Sequence, residues 1–288
     1  MGVASYRSEH SNLKLFLDLV QKSRKRLIRI VQISLAQVSF MLEEMRITES
    51  KPVPSVKYCL VGMPDTGLTG MIAVSHIVHA LDLPEIGHIE SDILPPVMVI
   101  HKGDPKVPIR LFGDDKLVVM TSETPINTMA IAPLSRTLVN WALAKKVEVL
   151  VSLSGVAVQN RLEIDIPQVY GVSTTRQGRD MLKEAGVQLL EEGFMVGPHA
   201  MILRESLSKG LTNIVLLAQS HSQYPDPGAA ASAITSANRI LKLNVDVKQL
   251  LDEAEEIRVK TRELMQRTTR SMQGTAKAQE QELPAMYG

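Results

Sequence analysis

Nine residues, Gly62-Met63-Pro64-Asp65-Thr66-Gly67-Leu68-Thr69-Gly70, stand between an apolar run and a segment with helical spacing. That is where phosphate-binding loops occur. A P-loop needs Lys and then Ser or Thr after its second glycine, but Leu68 takes the lysine's place and leaves no cation for the phosphates. In a dinucleotide fingerprint spanning Gly62 and Gly67 the middle glycine is lost to Pro64, and the neighbouring Asp65 carboxylate repels a pyrophosphate at close range. The glycines read instead as a tight turn that brings a helix close to a sheet. No nucleotide hydrolysis is expected.

Other residues that could do chemistry are scattered. His76 and His79 lie one helical turn apart, and His221 sits in Gln219-Ser220-His221-Ser222, but two histidines do not complete a zinc site and no H-E-x-x-H occurs at His76. Ser154 precedes Gly155 at the end of an apolar run without the first glycine of a nucleophile elbow. Asn160 and Arg161, with Glu163 and Asp165, could clamp a small polar ligand. Tyr224-Pro225-Asp226-Pro227-Gly228 is strong turn chemistry leading into a helix. No catalytic residue, metal ligand set or cofactor emerges. The rival to a non-enzymatic reading is a nucleotide- or carboxylate-binding enzyme of ligase or phosphorylase type. Its ligand loop would comprise Asp65, Gly67, Gly70, Asn160, Arg161 and His221.

The elements that position these residues alternate between short β-rich runs and helical ones, the signature of an α/β domain with a mixed, largely parallel sheet. Strands are predicted over residues 55–62, 86–90, 97–101, 109–112, 117–121, 147–153, 168–173 and 213–218. Helices are predicted over 68–81, 128–145, 176–185, 198–209 and 229–243. A long helix then starts near Asp246, which forms a capping box with Gln249, while Val245 and Leu250 form a hydrophobic staple. Leu250, Ile257 and Leu264 lie on a stripe with three-four spacing that needs a surface to pack on, its own body or another subunit. Glu256 with Lys260, and Glu263 with Arg267, add i,i+4 pairs. From Gln273 the chain turns small and polar, as expected of a flexible tail. The organisation is thus a 1–44 extension, a 45–245 α/β domain, a 246–272 packing helix and a 273–288 tail.

Composition narrows the classes. With 32 basic against 31 acidic residues there is no basic stripe for nucleic acid, and 3% aromatic residues offer few stacking platforms. One cysteine, Cys59, excludes an intramolecular disulfide and fits a reducing, cytoplasmic setting. In the first 44 residues a basic cluster, Lys22 to Arg26, precedes a mostly apolar run, but Arg29, Gln32 and Gln37 interrupt it and no cleavage site follows. Neither a secretory signal nor a membrane span is expected. The segment reads as an appended, poorly docked helix, or as upstream extension of a chain that begins at Met45.

The 62–70 loop, Leu94-Pro95-Pro96, the run Glu192-Gly193-Phe194-Met195-Val196-Gly197-Pro198 and Tyr224-Pro225-Asp226-Pro227-Gly228 together resemble the archaeal homologues of the proteasome assembly chaperones. The resemblance covers residues 45–288. It implies a single three-layer core akin to nucleoside-phosphorylase folds, no catalytic residues, self-assembly into homo-oligomers and a role in proteasome assembly or activation. Met286-Tyr287-Gly288 matches the hydrophobic-tyrosine-any-residue C-terminus, the HbYX motif, by which such proteins enter pockets between α-subunits of the proteasome core. On that likeness Met286 fills an apolar pocket, Tyr287 orders the tail and the Gly288 carboxylate pairs with a basic residue.

Overall fold

The computed structural model describes residues 45–282, with side chains as far as Met272, together with Gln21 and Arg24. The chain divides into two compact units, Met1–Glu44 and Met45–Gly288, and the fold below is that of the second. The reading of residues 1–44 otherwise lies outside the described residues, as do Met286, Tyr287 and Gly288.

In chain order the strands are β1 (Arg46–Glu49), β2 (Tyr58–Gly62), β3 (Glu85–Glu90), β4 (Val99–His101), β5 (Asp104–Lys106), β6 (Ile109–Gly113), β7 (Leu117–Ser122), β8 (Val149–Ala157), β9 (Val169–Ser173), β10 (Gln188–Leu189) and β11 (Asn213–Ser220). The helices are α1 (Thr69–Ala80), α2 (Thr128–Ala144), α3 (Arg176–Glu184), α4 (Pro198–Lys209), α5 (Pro227–Leu241), α6 (Lys248–Asp252) and α7 (Ala254–Glu282). Nine strands form one mixed sheet in the order β1-β3-β6-β7-β2-β8-β11-β9-β10, and β4 with β5 makes a separate hairpin. The centre, β7-β2-β8-β11, is parallel, and the flanking β1, β3, β6 and β9 join antiparallel.

The sequence accounts for this arrangement. β7 is buried along its whole length and β8 over its first six residues, so these strands read as continuous apolar runs because both faces are covered. In β2 the alternation resolves the two faces. Leu60 joins the core under α1, α3 and α5, while Cys59 and Val61 join the one under α2 and α4. The result is a three-layer α/β unit. Helix starts follow side-chain chemistry: Asn127 accepts from the Ala130 amide at 2.7 Å, and Thr175 from the Gly178 amide at 3.1 Å. α4 opens on Gly197-Pro198 and closes on left-handed Gly210.

The C-terminal helix departs from expectation. The capping box does not form. Val247 is the N-cap, the Asp246 carboxylate accepts from the Lys248 amide, and Gln249 donates instead to Glu253. The helix breaks at Glu253 and resumes as α7, which runs on to Glu282 through residues expected to be a flexible tail. Ala, Gln, Glu and Lys there are small or polar but favour helix, so that composition is a poor guide to disorder. Leu250 is buried, and Ile257 and Leu264 pack half-buried against the core under α1 and α5. The stripe's surface is therefore this chain's own body. His76 is structural too, its Nε2 lying 2.7 Å from the Asp246 carbonyl.

The loop glycines are held by proximity. Gly67 adopts φ +64°, and a Cβ there would lie 2.0 Å from Ser220 Oγ. At Gly70, in the first turn of α1, a Cβ would lie 2.0 Å from the Leu153 carbonyl oxygen of β8. Because that oxygen is backbone in the sheet centre, Gly70→Ala should cost about 1–3 kcal/mol or more by overpacking, outweighing a gain of about 1 kcal/mol in helix propensity. Urea unfolding checks it. A midpoint at or above that of the wild type would show that α1 can lift from β8 freely.

Candidate functional site

A cleft of about 470 Å³ opens at the carboxyl ends of the four parallel strands. The turn after β2 contributes Asp65 and Thr66, and the end of β8 contributes residues 154–157. The segment 194–197 and His199 of α4 form one wall, and α7 closes another with Thr268 and Met272. Its lining is chiefly apolar, which suits a pocket that excludes water from a few polar groups.

Two titratable side chains line this cleft. Asp65 is 9% exposed and His199 3%, and Asp65 Oδ2 lies 3.6 Å from His199 Nε2, beyond hydrogen-bond length. Neither carboxylate oxygen and neither ring nitrogen has a hydrogen bond of normal geometry. Burial pushes the Asp65 carboxyl up to about 7, although the Ser154 hydroxyl and the Gly70 and Gly155 amides lie near enough to oppose the shift. Burial brings His199 down to about 4, so its ring is neutral at physiological pH. The pair was assembled by the fold from distant parts of the chain. Asp65 was a candidate from sequence, whereas His199 was passed over. Its signal was the three-four spacing of His199, Ile202 and Ser206, which turns all three to the buried side of α4.

The remaining candidates do not converge on this cleft. Arg161 forms no ligand clamp with Glu163 and Asp165. It turns inward, and its Nε and Nη2 donate to Asp226 at 2.7 and 2.9 Å. Asp226 also caps α5 by accepting from the Ala229 amide at 3.0 Å, and accepts from the His221 amide at 3.2 Å. A charged pair of this kind holds turns together and leaves the arginine no free face for a ligand. His221 belongs to a separate groove with Tyr224, Leu162 and Arg258, and Asn160 flanks the 3-10 turn Arg161–Glu163 without a side-chain cap. Gly67 and Gly70 shape the turn by close packing. Among the described residues no group of three His, Cys, Asp or Glu could hold a metal ion, and no helix is long and apolar enough to cross a membrane.

The PAC2 family profile matches residues 59–265, which takes in the parallel centre of the sheet from Cys59, the cleft lining apart from its α7 wall at Thr268 to Met272, and α7 as far as Met265. The chain belongs to the PAC2 family. Among solved PAC2-like structures, that of Pyrococcus furiosus PbaA, an archaeal homologue of proteasome-assembly chaperone, superposes with a TM-score of 0.74 at 27% identity. The match covers 79% of this chain and 100% of that one. Pyrococcus furiosus PbaB, an archaeal proteasome activator, shares the fold with a TM-score of 0.65 at 18% identity, over 77% of this chain and 99% of that one. An uncharacterized protein of Methanocaldococcus jannaschii is 27% identical over 238 residues, 82% of this chain and 98% of that protein.

The buried pair in this PAC2 cleft predicts a pH signature. Asp65 keeps its proton in the fold up to about pH 7, whereas an unfolded carboxyl loses it near 3.8. Its contribution to stability is full below that value and lost as pH rises through about 7. His199, lowered from 6.5 to about 4, acts oppositely, since its contribution is present above 6.5 and lost as pH falls toward 4. The two slopes, each approaching about 1.4 kcal/mol per pH unit, cancel in the intact pair. Relative to wild type, His199→Gln should therefore lose stability as pH rises from about 4.5 to 6.5, and Asp65→Asn should gain it. Urea midpoints measured across that range decide the matter. Parallel profiles for all three proteins would mean that the pair is solvated.

Proposed function

We propose that this protein is a cytoplasmic proteasome-binding adaptor, an assembly chaperone or activator-like factor. The similarity to PbaA, extending over all of that chain, carries the reading. The α/β body is that of the family, and Met286-Tyr287-Gly288 follow the long helix α7 in the sequence. In this reading a homo-oligomer presents several tails to the α-ring of the proteasome core. Met286 enters an apolar pocket, Tyr287 orders the segment, and the terminal carboxylate meets a basic residue. The function is binding and the reaction chemistry belongs to the partner. The test is retention of the full-length protein on immobilised core particles, with and without its last three residues. Equal retention of both would place the contact on the α/β body, and no retention of either would sink the adaptor reading.

A further inference from the structure

We propose that the cleft at the carboxyl ends of β7, β2, β8 and β11 binds a small organic cation, an amidinium or primary ammonium on an apolar body, with its positive end toward Asp65. Open α/β sheets bind ligands outside the carboxyl ends of their strands, where connections leave in opposite directions. Here α1 leaves β2 on one face of the sheet, and α2 carries the chain from β7 across to β8 on the other. The volume of about 470 Å³ suits a molecule of a dozen or so heavy atoms.

Charge selects the class. Taken element by element, the polar lining is Asp65 and Thr66 from the turn after β2, Ser154 from β8, His199 from α4, Ser222 after β11, and Thr268, Thr269 and Ser271 from α7. Among the described residues, Asp65 and His199 are the titratable groups in that lining, which holds no lysine or arginine, so an anion there finds a carboxyl and no countercharge. The polar atoms of both side chains lie buried without a hydrogen bond of normal geometry, the Ser154 hydroxyl and the Gly70 and Gly155 amides being near Asp65 but poorly placed, in a native fold where such groups call for an explanation. The nearby hydroxyls of Thr268 and Thr269 are already committed, donating to the Leu264 and Met265 carbonyls at 2.9 and 3.0 Å. Once ionised this carboxyl accepts only, so the complement that would stabilise it is a donor, and a charged donor gains most beside it. Ile126, Ile131 and Leu217 provide apolar walls for the rest of the molecule. Both Asp65 oxygens are buried, so binding of this kind requires the side chain to turn toward the cleft.

Full-length protein is titrated with benzamidine, benzamide and benzoate, three rings of one size that differ in charge, by calorimetry or ligand-observed NMR. Benzamidine should bind at least about tenfold more tightly than benzamide, and benzoate more weakly still. Benzamidine stays charged throughout, so its affinity should rise with pH toward about 7 as Asp65 ionises, by up to about tenfold per unit, and level off above. Asp65→Asn should abolish both the preference and the pH slope. If that variant does not fold, the three-probe comparison and the pH profile of the wild type still decide. Equal affinities, no binding at millimolar probe, a flat profile, or a preference that survives in folded Asp65→Asn would each overturn the assignment.

Discussion

Removal of residues 286–288 should abolish tight binding to the proteasome core while leaving mass and thermal stability unchanged. Three residues bury little area and must be ordered on docking, so a single tail should bind with micromolar affinity or weaker. Several tails on one oligomer behave differently. Once one is seated the others act at high effective concentration, and overall affinity can rise by about 10²–10⁴ where the geometry lets them engage together. A peptide of residues 273–288 offers one tail, and the intact protein offers as many as it has subunits. Surface-plasmon resonance on immobilised core particles should separate them by that factor, with light scattering giving the subunit number. Tyr287→Ala, or one residue added after Gly288, should each lose the tight component. Equal affinity of peptide and protein would exclude multivalency, and undiminished binding by the truncated chain would exclude the tail.

The largest effect on stability is expected at Asp226. Its carboxylate holds Arg161 through two hydrogen bonds, caps α5 at Ala229 and accepts from the His221 amide, all at a residue 1% exposed. Its own amide donates to the Gly67 carbonyl at 2.8 Å, tying the turn before α5 to the turn before α1. Asp226→Ala would strand a buried guanidinium and free two amides. Breaking a buried pair from one side costs about 3–5 kcal/mol. For a domain of this size that corresponds to a fall in Tm of roughly 6–20 °C. The double change Arg161→Met with Asp226→Asn removes the charge and keeps the cap, and should recover much of the loss. Thermal unfolding of the singles and the double completes the cycle. A shift of under about 3 °C for Asp226→Ala would mean that water already shares the pair.

Sequence carried much of the fold because local signals were strong. Gly197-Pro198 and Gly210 bracket α4, whose bounds are those expected from sequence. The apolar runs of β7, β8 and β11 are legible because both of their faces are buried. β1 was missed, since Arg46-Ile47-Thr48-Glu49 has too little apolar character to stand out. It docks through pairing with β3 and through Glu49, which accepts from Trp141 Nε1 at 2.7 Å. The site was less legible than the fold. Asp65 with His199, and Arg161 with Asp226, are brought together only by packing of elements remote in the chain, and no spacing rule relates such residues. Arg161 looked available because a loop charge is usually solvated, and burial reversed its meaning.

Helix α7 has a mechanical consequence. A helix advances about 1.5 Å per residue, so the 29 residues from Ala254 to Glu282 make a strut roughly 43 Å long. Its first half is bolted to the body through Ile257, Leu264 and Met265. The six residues that follow Glu282 span at most about 20 Å when extended. A set of such struts would work as a gauge, engaging a ring whose pockets match their spread and rejecting rings of another diameter. The position at which α7 leaves the body would then add a geometric requirement to the chemical one set by the last residues.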